Sequence, residues 1–162
     1  RPTLHPEGTK MGDRARLHDE VVQKLLKILQ WFNRWSKVTI MVENPQANLQ
    51  HQQYMKNAET WLRKIVMHYC AYDHQYHKPT NIWTNLTWEP KGDKGLTGNG
   101  RCGLGCTTRT WNLATKRWRH KNTIAQASQK EVAGRGRQAH KSSVPRRLLS
   151  EIWSKVLAWQ GH

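Results

Sequence analysis

The feature that most constrains the fold is an amphipathic helix pattern followed directly by a short apolar strand. In residues 19–35 the apolar side chains recur at three- and four-residue spacing, which predicts a helix. The strand predicted over 38–42 is followed by Glu43, Asn44 and Pro45. This order predicts an α/β fold, and in open α/β sheets ligands bind beyond the carboxyl ends of the strands. The predicted core face of the helix consists of Val21, Val22, Leu25, Ile28, Leu29 and Phe32.

The rest of the chain alternates between helical and extended patterns. A second helix is predicted over 54–69, a strand over 78–88, a hairpin over 107–122 and a last helix over 145–159. Six glycines in residues 91–106 predict a loop. The predicted core face of the second helix is Met55, Ala58, Trp61, Leu62, Ile65 and Tyr69, and that of the last helix is Leu148, Leu149, Ile152, Val156 and Leu157.

The length of 162 residues predicts one domain with a core of its own. Composition divides the chain into five segments. These are an extended lead-in over 1–18, an α/β core over 19–90, a glycine-rich loop and basic hairpin over 91–125, a basic flexible segment over 126–144 and a C-terminal helix over 145–162.

The chain is strongly basic, and the charge is concentrated in its second half. The net charge is +16, and residues 109–147 hold eleven Lys and Arg against one acid, Glu131. A field of this sign attracts polyanions, which indicates a nucleic acid, DNA or RNA, as the partner; a solvated basic face is the alternative. The candidate nucleic-acid contacts are Arg109, Lys116, Arg117, Arg119, Lys121, Arg135, Arg137, Lys141, Arg146, Arg147, Trp111 and Trp118.

Trp111 and Trp118 lie within this basic tract and allow two interpretations. Their rings offer flat surfaces on which bases can stack beside cationic groups. Taken singly, each tryptophan is more simply interpreted as a core residue of a small sheet.

Cys102 and Cys106 lie in the glycine-rich loop, and His120 lies at the end of the predicted hairpin. Two thiolates and an imidazole would supply three ligands of a structural zinc ion. Cys70, His68 or His140 would then supply the fourth. The C-x3-C spacing differs from the common C-x2-C spacing, so two free thiols or a redox-labile disulfide remain alternatives.

No apolar run in the sequence approaches the roughly 20 residues that span a bilayer, so no membrane insertion is expected. With three cysteines and no secretory signal pattern, we expect an intracellular protein. The sequence does not distinguish the nucleus from an organelle.

Three segments recur in the order typical of one enzyme family. They are Glu43-Asn44-Pro45 after the first strand, Lys78-Pro79-Thr80-Asn81-Ile82-Trp83-Thr84-Asn85, and Ser143-Val144-Pro145 before the last helix. In this order the chain resembles the C-terminal part of a phage-type DNA (cytosine-5) methyltransferase. The resemblance implies a partial Rossmann-like half, made of a helix-strand-helix, a small β region and a C-terminal helix.

The resemblance also implies roles for several residues. Glu43 and Asn44 correspond to the family's Glu-Asn, whose Glu binds the cytosine ring, and Lys78 lies nearest to the family's basic residue beside the target base. Ser142, Ser143 and Val144 correspond to the turn that closes the S-adenosylmethionine site. The family's glycine-rich cofactor turn and its Pro-Cys nucleophile do not occur in this sequence. We therefore expect no S-adenosylmethionine site and no methyltransferase activity unless a partner supplies the missing half.

Three classes of function follow. The first is a nucleic-acid-binding, non-catalytic protein derived from a methyltransferase. The second is a fragment or subunit of an active S-adenosylmethionine-dependent DNA cytosine-5 methyltransferase. The third is a structural subunit of a ribonucleoprotein or another large assembly, which would also have protein partners.

Overall fold

The computed structural model describes residues 10–74, 76–92, 99–103, 105–120 and 143–159. In chain order the helices and strands are α1 (Lys10–Trp35), β1 (Met41–Pro45), α2 (Gln53–Ala58), β2 (Arg63–His68), β3 (Pro79–Thr84), β4 (Arg109–Asn112), β5 (Arg117–His120) and α3 (Arg146–Ala158). Single turns of 3₁₀-helix cover Asn48–His51 and Tyr69–Tyr72.

Strands β1, β3 and β2 form a three-stranded sheet in that spatial order, and both pairings are antiparallel. Ile82 of the central strand β3 lies opposite Glu43 on one side and Ile65 on the other. Five of the six residues of β3 are buried, as expected for a central strand covered on both faces.

The sheet lies between two layers of helix. On one face Trp83 packs in a core cluster with Leu26 of α1 and Met55 of α2. On the other face Ile82 packs in a second cluster with Leu148 of α3. Because successive residues of a strand point to opposite faces, neighbouring residues of β3 supply both clusters.

Strands β4 and β5 form a separate antiparallel hairpin, in which Trp111 lies opposite Trp118. We call residues 109–120 the hairpin. The sequence predicted a hairpin here, and the structure confirms it. The last helix is confirmed as well, because α3 begins directly after Pro145, a residue suited to a helix start.

The prediction of one helix over 54–69 is wrong beyond Ala58, since residues 63–68 form strand β2. Ile65 and Met67 are buried on one face, with a period of two residues, and Val66 is half-buried between them. The apolar spacing of 58, 62 and 65 also suits a helix, which made the two patterns hard to separate. The β-branched pair Ile65-Val66 was the local signal for a strand.

The prediction of an extended lead-in over 1–18 is wrong from Lys10 onward, because α1 begins there. Residues 10–18 contain Met11, Ala15, Leu17 and two arginines, which favour helix more than their polarity suggests. The first strand was predicted over 38–42 but covers Met41–Pro45, so Glu43 lies within it rather than after it.

Parts of both predicted helix faces are exposed. On α1 the side chain that packs most tightly is Leu26, whereas Val21, Leu25, Ile28 and Phe32 are exposed. On α3 Leu148 and Ile152 are buried, whereas Leu149 and Leu157 are exposed. A three-stranded sheet is too narrow to cover the whole apolar arc of each helix.

The fold class is mixed α/β, as predicted. The strand pairings of the described residues are antiparallel, so the parallel sheet that defines a Rossmann-like half is not shown. The predicted flexible segment over 126–144 lies outside the described residues except for Ser143 and Val144.

Candidate metal centre

The chain brings four metal-ligating side chains together from three separate segments. Cys70 lies in the 3₁₀ turn after β2, Cys102 and Cys106 lie in the loop before the hairpin, and His120 ends β5. The three sulfur atoms and a ring nitrogen of His120 all lie within 4.8 Å of one another. We call these four residues the ligand cluster. Cys70 and Cys106 are buried, and Cys102 and His120 are half-buried.

The distances suit a single tetrahedral ion. The Nε2 atom of His120 lies 3.1 Å from Sγ of Cys102 and 3.6 Å from Sγ of both Cys70 and Cys106. Tetrahedral zinc, with Zn–S near 2.3 Å and Zn–N near 2.0 Å, places neighbouring N and S ligands about 3.5 Å apart. Cys₃His is also one of the ligand sets of structural zinc sites.

Backbone hydrogen bonds hold the cysteine loop against β2. The amide of His68 donates to the carbonyl oxygen of Gly100 (2.9 Å), and the amide of Cys102 donates to Nδ1 of His68 (3.0 Å). Gly100 has a φ of +70°, and a Cβ added there would lie 2.7 Å from the Cβ of Pro90. Glycine is therefore required at this turn. The loop reaches the ligand cluster because its backbone is docked to the edge of the core sheet.

Two further histidines surround the imidazole ligand. His77 stacks on His120 with ring centroids 4.0 Å apart and planes inclined by 8°, and His68 meets His77 edge to face at 4.8 Å. These rings restrict the orientation of His120, which is the usual task of groups around a metal ligand. His77 was not predicted to be part of a metal site, and its only signal in the sequence is its proximity to Cys70.

Burial and neighbouring charges shift the pKa values of the candidate ligands. Burial, followed by the positive field of His77 and Arg109, lowers the pKa of His120 to about 4, so its imidazole is neutral and able to bind metal at neutral pH. Burial, together with the neighbouring thiols, raises the pKa of Cys70, and burial and Cys106 raise that of Cys102 to about 11. These two thiols are protonated without a metal, so binding must release their protons.

Cys106 differs from the other two thiols. Burial alone would raise its pKa, but hydrogen bonds to the sulfur from Thr108, Cys102 and Cys70 together outweigh burial and lower it. The hydroxyl of Thr108 lies 3.1 Å from Sγ of Cys106. Cys106 is therefore the thiol that loses its proton most readily when a metal approaches.

Of the three candidates for the fourth ligand, the structure brings Cys70 into the cluster. His68 instead accepts the amide hydrogen of Cys102, and His140 lies outside the described residues. All three cysteines of the chain are therefore gathered at one place. Cys70 is separated from the C-x3-C pair by about thirty residues and a whole strand, so spacing alone could not select it.

Among the described residues, the candidate nucleic-acid contacts lie on two elements, the hairpin and α3. Lys116, Arg117 and Arg119 of the hairpin are exposed, and Arg109 donates to the carbonyl oxygen of Gly103 (3.1 Å). Arg147 on α3 forms an ion pair with Asp73, and Arg146 is exposed beside it. The candidates outside the described residues are Lys121, Arg135, Arg137 and Lys141.

The interpretation of Trp111 and Trp118 as core residues is wrong. Their exposed fractions are 47% and 49%, and they contact each other edge to face with centroids 5.7 Å apart. A hairpin of two short strands has no second layer in which to bury them.

The residues implied by the methyltransferase resemblance are partly brought together. Nζ of Lys78 lies 3.1 Å from Oε1 of Glu43 and 4.5 Å from the ring centre of Tyr69, whose hydroxyl donates to the same carboxylate oxygen (2.8 Å). Burial and the carboxylate raise the pKa of Tyr69. Asn44 turns its amide to the carbonyl oxygen of Pro45 instead. Ser143 and Val144 precede α3, and Ser142 lies outside the described residues.

The chain matches no protein-family model, no curated protein and no solved structure. The resemblance to a methyltransferase therefore stays a prediction from its motifs. Among the described residues, no helix combines the length and apolar character needed to cross a membrane.

Proposed function

We propose that the protein binds nucleic acid through its hairpin, and that a structural zinc ion in the ligand cluster fixes this hairpin to the α/β core. The observation that carries the proposal is the convergence of Cys70, Cys102, Cys106 and His120. Four protein ligands close a tetrahedral site, which is typical of structural zinc, whereas catalytic zinc keeps one position open. Cys70 belongs to the core and His120 to the hairpin, so one ion would join the two.

Charge supports nucleic acid as the partner. Residues 99–120 contain no acid, and the exposed cations Lys116, Arg117 and Arg119 lie on the hairpin. Contacts between these cations and phosphates would release counterions, so the affinity would fall steeply with salt. The same chemistry serves a free nucleic-acid-binding protein and a subunit of a ribonucleoprotein or another large assembly.

We further propose that the chain alone is not an enzyme. The methyltransferase chemistry implied by the resemblance needs a cysteine nucleophile. Each of the three cysteines lies in the ligand cluster, where it would serve as a ligand of the proposed ion. No cysteine is thus left for attack on a base.

The test begins with the zinc content of the purified chain, followed by nucleic-acid binding over a salt series with zinc bound and after chelation. We expect one zinc per chain, a steep salt dependence, and weaker binding after chelation that returns when zinc is restored. Cys106→Ser should reproduce the chelated state, and Thr107→Ala, an exposed change in the same loop, should not. Purified protein that contains no zinc, or nucleic-acid binding that is unchanged after chelation, would contradict the proposal.

A second candidate, part of a DNA cytosine-5 methyltransferase, is favoured by one observation. Glu43 and Lys78, which the resemblance places beside the target base, form an ion pair between the middle of β1 and the residue before β3. If a partner completes such a site, Glu43→Gln should remove methyl transfer by the complex. In the isolated chain the same change should leave nucleic-acid binding nearly intact, and a large loss there would indicate that a flipped base is being bound.

A further inference from the structure

We propose that Trp111 and Trp118 form a stacking site for the unpaired bases of single-stranded nucleic acid. This inference rests on the proposed function and specifies the form of nucleic acid that the hairpin selects. The two residues lie directly opposite each other in the β4–β5 register, so their side chains lie on the same face of the hairpin.

The geometry of the pair leaves aromatic surface available. Trp111 and Trp118 are about half exposed, and their ring planes are inclined by 69°. In an edge-to-face contact the edge of one ring covers a single face of the other. Most of the ring surface is therefore not used by the pair itself. A base has a π-face whatever its identity, so stacking on such rings tolerates many sequences.

The charge around the pair identifies a polyanion as the occupant. Arg119 lies opposite Thr110, and Arg117 lies opposite Asn112, on the face of the hairpin that points away from the tryptophans. Lys116 lies in the turn between the strands and is exposed. Because the hairpin has only two strands, about 5 Å apart, long cationic side chains on one face can reach a phosphate backbone that runs along its edge. Bases on the rings and phosphates along the edge match the chemistry of a nucleic-acid strand.

Stacking on the tryptophans selects single strands over duplexes. In a duplex each base is already stacked between its neighbours, and only its edges face the grooves. Single strands can splay their bases onto aromatic side chains, where each base adds to the affinity by stacking. The cations on the other face contact phosphates in either form and supply affinity without this selectivity.

The ligand cluster orients the aromatic pair. Arg109 and His120 are paired in the register two residues away from the tryptophan of their own strand, so they lie on the same face as the tryptophans. The proposed metal ligand His120 and both tryptophans therefore lie on one face of the hairpin. Fixing His120 fixes the direction in which the rings point.

The experiment measures fluorescence anisotropy of the zinc-bound full chain with labelled oligothymidylate, oligouridylate and a blunt duplex of equal phosphate number, over a salt series. The variants are Trp111→Leu/Trp118→Leu, Arg117→Gln/Arg119→Gln, and Trp153→Leu as a matched control. Trp153 is an exposed tryptophan on α3, 61% exposed and outside the hairpin. Comparison of the two single strands distinguishes DNA from RNA as the source.

We expect the double tryptophan variant to lose about tenfold or more in affinity for single strands and to keep the duplex affinity and the salt slope. The double arginine variant should lose affinity for both forms, with a salt slope smaller by about 1.4–1.8. Trp153→Leu should match the parent. Zinc content is measured for each variant, and Trp111→Phe/Trp118→Phe, which keeps both rings, should retain the preference for single strands.

Equal losses for single strands and duplex in the tryptophan variant, or no loss at all, would overturn the stacking site while leaving nucleic-acid binding in place. A parent chain that prefers duplex would overturn it as well. A parent that binds none of the three probes would remove the proposed function itself, so the two failures are distinguishable.

Discussion

The α/β core and the hairpin are stabilised in different ways. In the core, large apolar side chains such as Met55, Trp83 and Leu148 are essentially fully buried. In the hairpin the corresponding side chains, Trp111 and Trp118, are about half exposed. Burial of apolar surface is the main stabilising term in folding, and the hairpin obtains little of it. A small sheet of this kind therefore needs another source of stability, and the zinc ion proposed for the ligand cluster would provide one.

The contrast predicts that the core folds without metal and that the hairpin does not hold its position without it. Cys70 belongs to both regions, since it is a buried core residue and also a member of the ligand cluster. Polar contacts made by His68, Cys102 and Arg109 join the cysteine loop to the core and to the hairpin. Such contacts contribute about 1 kcal/mol each, less than a structural zinc site.

The largest effect is expected from loss of a metal ligand. Cys106→Ala should lower the zinc affinity by more than the roughly 10- to 100-fold that follows loss of an outer partner, because it opens the tetrahedral site. Competition with a chromophoric chelator measures the affinity, and limited proteolysis should then cut within 99–120 first. Thr107→Ala is the control. Simultaneous loss of the core's protection would show that the two regions are not separate.

A core substitution should have the opposite pattern. Leu148→Ala removes a side chain that is fully buried under α3 and should destabilise the protein by about 2–5 kcal/mol, because it leaves a cavity. Denaturant unfolding should give the same loss with zinc and after chelation. Leu149→Ala, next in the chain but 49% exposed, should cost much less. A zinc-dependent loss at Leu148 would mean that the core relies on the metal.

The sequence predicted those features of the two regions that neighbouring residues mark, and it missed those that depend on contacts between residues distant in the chain. The hairpin and α3 were predicted because turn residues and a proline mark them locally. Strand β2 was assigned to a helix because its apolar residues suit both periods, and only pairing with β3 decides between them. The exposed face of α1 was assigned to the core. The periodicity of a sequence shows that one face of a helix is apolar, but it does not show which element covers that face.

The same limit applies to the metal site, where residues close together in the chain could be predicted and more distant ones could not. Cys102, Cys106 and His120 are close in the chain, so a zinc site could be predicted from the sequence as one alternative beside free thiols or a disulfide. Cys70 and His77 lie in the connection between β2 and β3. They reach the site only because the fold places this connection beside the hairpin. The link between Glu43 and Tyr69 also depends on the pairing of the sheet.

A smaller effect is expected from the ring that stacks on the imidazole ligand. His77→Ala should lower the zinc affinity by about 10- to 100-fold, because His120 loses the ring that fixes its plane. His77→Phe keeps a flat ring and should restore most of the affinity. The absorption bands of the cobalt-substituted protein should change with Ala and return with Phe. Equal affinities for all three proteins would show that the cysteines and the backbone suffice to orient His120.

The smallest effect is expected at Arg147, a basic residue on α3 rather than on the hairpin. Arg147 pairs with Asp73 across an ion pair whose side chains are 51% and 55% exposed. Exposed pairs contribute about 0–1 kcal/mol, so Arg147→Gln should change the free energy of unfolding by no more than that. It should also leave the salt slope of nucleic-acid binding close to the parent's, whereas Arg117→Gln should lower the slope by about 0.7–0.9. Equal slopes for the two variants would extend the nucleic-acid surface from the hairpin onto α3 and weaken the division between the two regions.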